Sequence, residues 1–162
     1  MLHTLIKYFV YATKGHITKT QLIKFLYLAD LYSVKWTGKQ LTQLDWCYYN
    51  YSPWHEDIDV ALHQMNGKEI IINSQPQGNF TLIQIGTEAS DINDLQLPVS
   101  LKLMLDNIRR EWAGSGQDKL NQLLEYVNNT VPMVEVKDTH KPEEKVKLNL
   151  YLERKKLINE LN

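Results

Sequence analysis

Three side chains in the middle of the chain have the spacing for metal chemistry. His55, Asp59 and His63 recur at i, i+4 and i+8, so one helix face would present two imidazoles and a carboxylate, donors that suit zinc. The distances argue against a site. Eight helical residues separate the two imidazoles by about 12 Å along the axis, too far for both to reach one ion at ~2.1 Å. The string HEDID also lacks the second histidine that a metalloprotease helix places four residues after the first. The face reads as exposed and polar. Glu56, Asp57 and Asp59 lie where a helix start attracts acids electrostatically, and no pair of them is singled out for acid–base work. Cys47 sits among aromatics without a histidine at a telling spacing, so it reads as a buried, inert thiol. Neither GxGxxG nor GxxxxGK occurs among the glycines. The residues point to no catalytic group, no metal and no cofactor, and the chain is read as not an enzyme.

The remaining chemistry is that of recognition. Trp46, Tyr48, Tyr49, Tyr51 and Trp54 crowd into one short stretch. Aromatic residues dominate binding hot spots because they bury much area at small entropic cost. These five are the candidate partner-binding residues, with about half expected in the core and half exposed.

The elements that must position them are mostly helices. Thr18 to Trp36, TKTQLIKFLYLADLYSVKW, is the stretch the chain is organised around. Thr18 and Gln21 form a capping box, and Ile17 with Leu22 has staple spacing. Leu22, Phe25, Leu26, Ala29 and Tyr32 make one stripe, and Ile23, Tyr27, Leu31 and Val34 a second beside it. Only Lys24 and Asp30 break the apolar surface, so this helix is expected to be buried on several sides. Lys24 and Asp30, six residues apart, face nearly opposite ways, and each should seek a partner on a neighbouring element.

A first helix is predicted over about Leu2 to Thr13, with Gly15 as its left-handed stop. Ser52 is expected to cap a third helix, with Pro53 at its first position and Asn66-Gly67 at its end. The runs 69–73 and 80–85 read as a β-hairpin. A fourth helix follows Pro98 and stops at Gly114. A fifth is capped by Ser115 and turns Leu120, Leu123, Leu124 and Val127 inward. Residues 128–141 are expected to be irregular or to hold one short turn. The tail, 142–161, fits both a strand alternation and a helix, and its Lys and Glu content favours helix.

The run KFLYLADLYSVKWTGKQLT, Lys24 to Thr42, resembles the opening of the Panacea domain, the SocA-like antitoxin family. Lys24, Tyr27, Leu28, Ala29, Asp30 and Gly38 carry the match. Pro53 matches the Gly-Pro pair that the family places before a helix, with Ser52 standing where Gly is usual. The resemblance spans roughly residues 1 to 135. It implies a non-catalytic antitoxin of a bacterial or phage-associated toxin–antitoxin system. Such a protein neutralises a co-encoded toxin by direct binding, and a protease or chaperone is a further partner if it also acts as an adaptor. Lys24, Tyr27, Asp30, Gly38 and Pro53 are then expected to fix packing.

Composition sets the frame. With 162 residues, 43% apolar and 23% charged, this is one globular domain over 1–162, able to bury ~70% of its unfolded surface. No apolar run approaches the ~20 residues of a membrane span. The N-terminus lacks the marks of a signal peptide, and one cysteine excludes an internal disulfide; a cytoplasmic protein is expected. Residues 1–44 carry six lysines against Asp30 alone, and residues 45–106 nine acids against two lysines. The fold expected is mainly α (α+β): a compact helical domain around a buried central helix, with one small hairpin in a winged-helix-like order. A DNA-binding regulator is the alternative, but residues 54–85 hold four acids against Lys68, a surface that repels phosphate.

Overall fold

A computed structural model describes residues 1–114 and 116–162. The expected cap at Ser115 lies outside the described residues. Helix α1 (Leu2–Ala12) buries Leu5, Ile6, Phe9 and Val10 along one stripe and adds Tyr8 and Tyr11. The chain reverses through Lys14 and Gly15 at positive φ and forms a two-residue strand β1 (Ile17–Thr18). Helix α2 (Lys19–Thr37) follows at once.

The capping box of α2 is formed in both directions. Thr18 Oγ accepts from Gln21 N at 3.1 Å, and Thr18 N donates to Gln21 Oε1 at 3.0 Å. The staple sits in the interior, with Ile17 and Leu22 both buried. At the other end Gly38, φ 79°, closes the helix by donating to Val34 O at 2.9 Å, the left-handed stop that glycine adopts without a Cβ clash. Between these ends α2 is buried almost all round. It touches α1, β3 (Ser52–Trp54), β5 (Phe80–Ile85), α4 (Val99–Trp112), α5 (Gln117–Asn128) and α7 (Tyr151–Leu161). The apolar surface of α2 thus explains its position: only a helix covered by several neighbours can keep Phe25, Leu26, Tyr27, Leu28 and Ala29 from water together.

Two small antiparallel sheets flank this helical body. The predicted hairpin is β4 (Ile70–Gln75) with β5, in register from Ile70 opposite Ile85 to Gln75 opposite Phe80. β1 adds to the far side of β5, pairing Ile17 with Ile83 and Thr18 with Leu82, to give the order β1-β5-β4. The second sheet was not legible in the sequence. It joins β2 (Cys47–Tyr49), β3 and β6 (Val146–Lys147) in the order β3-β2-β6. The fold is therefore mainly helical with two three-stranded sheets, rather than helical with a single hairpin.

Three element assignments are corrected. Ser52 and Pro53 do not open a helix. They form β3 opposite Tyr49 and Tyr48, and α3 begins later, at Glu56–Met65. Its N-cap is His55, whose Nδ1 accepts from Asp57 N at 3.0 Å. A proline in this strand is tolerated because β3 is an edge, with one side free of a ladder. Residues 128–141 are not irregular: Thr130 leads into α6 (Val131–Lys137), with Pro132 in its first turn and Met133 and Val136 inward. The ambiguous tail resolves by splitting. Val146 and Lys147 pair with β2, Leu148 and Leu150 are buried, and Tyr151 starts α7.

Candidate partner-binding surface

One of the residues that carry the family resemblance, Asp30, is a buried carboxylate. Asp30 is 0% exposed, yet no cation reaches it among the described residues. Four donors converge on it instead. Leu41 N and Thr42 N donate to Oδ1 at 3.0 and 2.9 Å, and Thr42 Oγ and Trp46 Nε1 donate to Oδ2, the indole at 2.8 Å. A buried carboxylate is tolerated only when its lone pairs are filled in this way. Burial nonetheless raises its pKa above the ordinary value of 3.8, against the lowering effect of the Thr42 and Trp46 hydrogen bonds. The bonds tie the loop after Gly38 onto α2 and place Trp46 against Tyr27, ring centroids 5.5 Å apart and edge to face. Thr130 Oγ donates to Val127 O, so the Tyr27 hydroxyl donates to Thr130, 2.8 Å away. Pro53 is buried in β3 opposite Tyr48.

Lys24 differs from Asp30. It is 5% exposed, and no hydrogen bond or ion pair reaches it among the described residues. Burial lowers its pKa from 10.5 to about 8. Asp30 finds the partner on a neighbouring element that the helix geometry requires; Lys24 does not.

The five clustered aromatics separate by strand alternation. Trp46 and Tyr48 are each 1% exposed and belong to the core, so as candidate partner-binding residues they are corrected: neither has surface to offer. Tyr49 and Trp54 are half-buried on the opposite side, with centroids 5.1 Å apart, and Trp54 stacks on His55 at 6.5 Å. The Lys145 ammonium lies 5.3 Å from the Tyr49 ring and 5.0 Å from that of Trp54. Tyr51 is 67% exposed. With Asn50 it makes the two-residue turn between β2 and β3, at φ 53° and 67°. Such a hairpin turn needs positive φ at both central residues and favours Asn-Gly. Asn50 fits this preference; Tyr51 does not, and an exposed tyrosine is held in a backbone region that costs a bulky residue about 1 kcal/mol.

The residues first considered for catalysis have other partners. His55 caps α3, Asp59 pairs with Lys19, and the His63 ring lies 2.8 Å from Asp59 O. No group of three or more His, Cys, Asp or Glu able to hold a metal occurs among the described residues. Burial raises the pKa of Cys47, and Asp45 adds to the effect, so the thiol is not activated. No helix among the described residues is long and apolar enough to cross a membrane.

Residues 22–160 match the sequence model of the family described as antitoxin SocA-like, Panacea domain. No curated protein and no solved structure matches the chain.

Proposed function

Because the chain belongs to the SocA-like Panacea antitoxin family, we propose that it is a non-catalytic antitoxin that neutralises a co-encoded toxin by binding it directly, with the outer face of the β2–β3 hairpin as a principal contact. The observation that carries the hairpin assignment is Tyr51. A large apolar ring is presented to solvent at a left-handed position where glycine would be easier. Tyr49, Trp54 and Lys145 form a cluster of their own on the outer face of the hairpin. Rigid aromatics flanked by a cation are the composition of a protein-binding hot spot. Delivery of the bound toxin to a protease is a further role this surface would permit.

Co-expression tests this reading. The product of the neighbouring gene should arrest growth alone and become harmless with this protein present, and the purified pair should elute together. A harmless neighbour, or arrest that persists with no complex formed, refutes it.

A DNA-binding regulator is the second reading. It takes α3 followed by the β4–β5 hairpin, with β1 on the far side of β5, as a winged-helix-like order. The helix that would enter the major groove carries Glu56, Asp57 and Asp59 and no Lys or Arg, so phosphate contacts would be repelled. Gel retardation of the upstream DNA at low salt decides between them.

A further inference from the structure

The basic character of the N-terminal third is not used by the hairpin. Of its six lysines, Lys14 lines a solvent-open trough of about 1010 Å³ where the α1–β1 turn, the tip of the β4–β5 hairpin and the facing ends of α4 and α5 meet. Ala12 and Arg109 also line a second cleft of about 360 Å³ along α4, so the two clefts adjoin. Part of their lining is apolar. Phe80, Leu82 and Leu120 line one end, and Val99 and Leu103, one turn apart and 75% and 60% exposed, line the other. Val99 and Leu103 stand at i and i+4 on α4, so their exposed side chains lie on one face of that helix.

Cations outnumber acids along the lining. Lys14, His16, Lys102 and Arg109 belong to it, and the single acid among the lining residues is Asp106. Asp106 is already answered. Arg109 donates to it at 2.6 Å and Arg110 at 3.0 Å, and the Arg109 hydrogen bond holds its pKa below the usual carboxylate range. Neither Lys14 nor Lys102 is in an ion pair among the described residues. A partly apolar lining with uncompensated lysines does not suit nucleic acid, whose affinity needs a dense cationic track. It suits a peptide.

We infer that the two adjoining clefts act as one groove, a second docking site, and that its occupant is a segment of the partner protein carrying acidic side chains between apolar ones. Phe80, Leu82, Leu103 and Val99 receive the apolar residues; Lys14 and Lys102 receive the carboxylates. The inference rests on the antitoxin reading and extends it, since the hairpin face would supply one contact and this groove the other.

The test uses the full chain with the co-encoded protein as probe. Lys14→Glu combined with Lys102→Glu reverses both free cations, and Leu103→Asp interrupts the apolar stripe; all three side chains are exposed, and a thermal melt checks that each variant folds. The charge reversal should weaken the complex about tenfold or more at low salt, mainly through slower association, with the difference narrowing as salt rises. Leu103→Asp should weaken it at all salt concentrations. Variants that bind and rescue growth as well as wild type overturn the groove and leave the antitoxin reading standing. If wild type itself neither binds nor rescues, the reading falls and the groove with it. If the lysine variant binds the protein normally but loses retention of a DNA duplex, the groove is a nucleic-acid surface and the inference is overturned.

Discussion

Replacing Asp30 by alanine should be among the most damaging single substitutions in this chain that leave no cavity larger than a carboxylate. The substitution strands Leu41 N, Thr42 N and the Trp46 indole N–H without acceptors, while the Thr42 hydroxyl can rotate to another partner. Each buried donor left unpaired costs about 1–3 kcal/mol. Three donors, less the desolvation cost of the carboxylate that is removed, give a net loss of about 3–5 kcal/mol. Against a total stability of about 5–15 kcal/mol, that is enough to populate the unfolded state. With a urea m-value of about 2 kcal/mol/M, the midpoint should fall by roughly 2 M.

Asparagine makes a finer probe. The two backbone donors are fixed, so the amide oxygen should stay with them and the NH₂ should face Trp46 and Thr42. Thr42 can accept from it; the indole cannot. Asp30→Asn should therefore cost about 2 kcal/mol, and Trp46→Phe should be less costly in that background than in wild type. The pH dependence has a definite sign. The folded pKa of Asp30 is raised above 3.8, so the folded state holds this proton more tightly than the unfolded state. The contribution is most favourable below 3.8 and is lost as pH rises through the folded value. Asp30→Asn should remove that slope. Urea melts followed by tryptophan fluorescence across the acid range measure all three quantities. An Asp30→Ala protein within 1 kcal/mol of wild type would refute the account of this network.

Lys24→Met should stabilise the protein at neutral pH by up to about 3 kcal/mol, the cost of holding a charged amine at a pKa of about 8 instead of 10.5. Wild-type stability should rise between those two values as the unfolded state alone retains the proton, a rise absent in the variant when melts at neutral and alkaline pH are compared. Tyr51→Gly should act with opposite signs on stability and on the proposed binding, adding about 0.5–1 kcal/mol by relieving the positive φ while weakening the complex with the co-encoded protein about tenfold or more; thermal melts and titration of the purified pair check it. Gly86→Ala should cost several kcal/mol or prevent folding, because a Cβ there would lie 2.0 Å from Lys68 O. Arg154→Ala should release α7 first: the guanidinium donates to Lys35 O at 3.0 Å and the Tyr151 hydroxyl to Gly38 O at 2.6 Å. Hydrogen exchange should then rise in residues 151–161 before anywhere else, at a cost of about 1 kcal/mol.

The sequence by itself determined those features whose physics is local. The capping box, the apolar surface of α2 and the glycine stop at 38 are set by residues within one or two turns of each other, and so was the hairpin of Ile70 to Ile85, where two apolar runs flank a Pro- and Gly-containing turn. The paired signals in the tail were also real, since its alternating part became β6 and its Lys- and Glu-rich part α7.

What only the tertiary structure decided is whatever depends on a partner distant in the chain. Ser52-Pro53 carries the local signature of a helix start, but Cys47–Tyr49 offered it a strand to pair with, itself held by β6 on its far side, so pairing overrode propensity and moved the cap to His55. Strand alternation then sent Trp46 and Tyr48 inward and left Tyr49, Tyr51 and Trp54 outside, a division that composition alone could state only as a fraction. The four donors on Asp30 come from a loop eleven to sixteen residues away, and the groove along α4 exists only because the ends of four elements converge on it. Hydrophobic periodicity fixes which face of an element is buried, but not which other element covers it, and both proposed binding surfaces are made by the second of those choices.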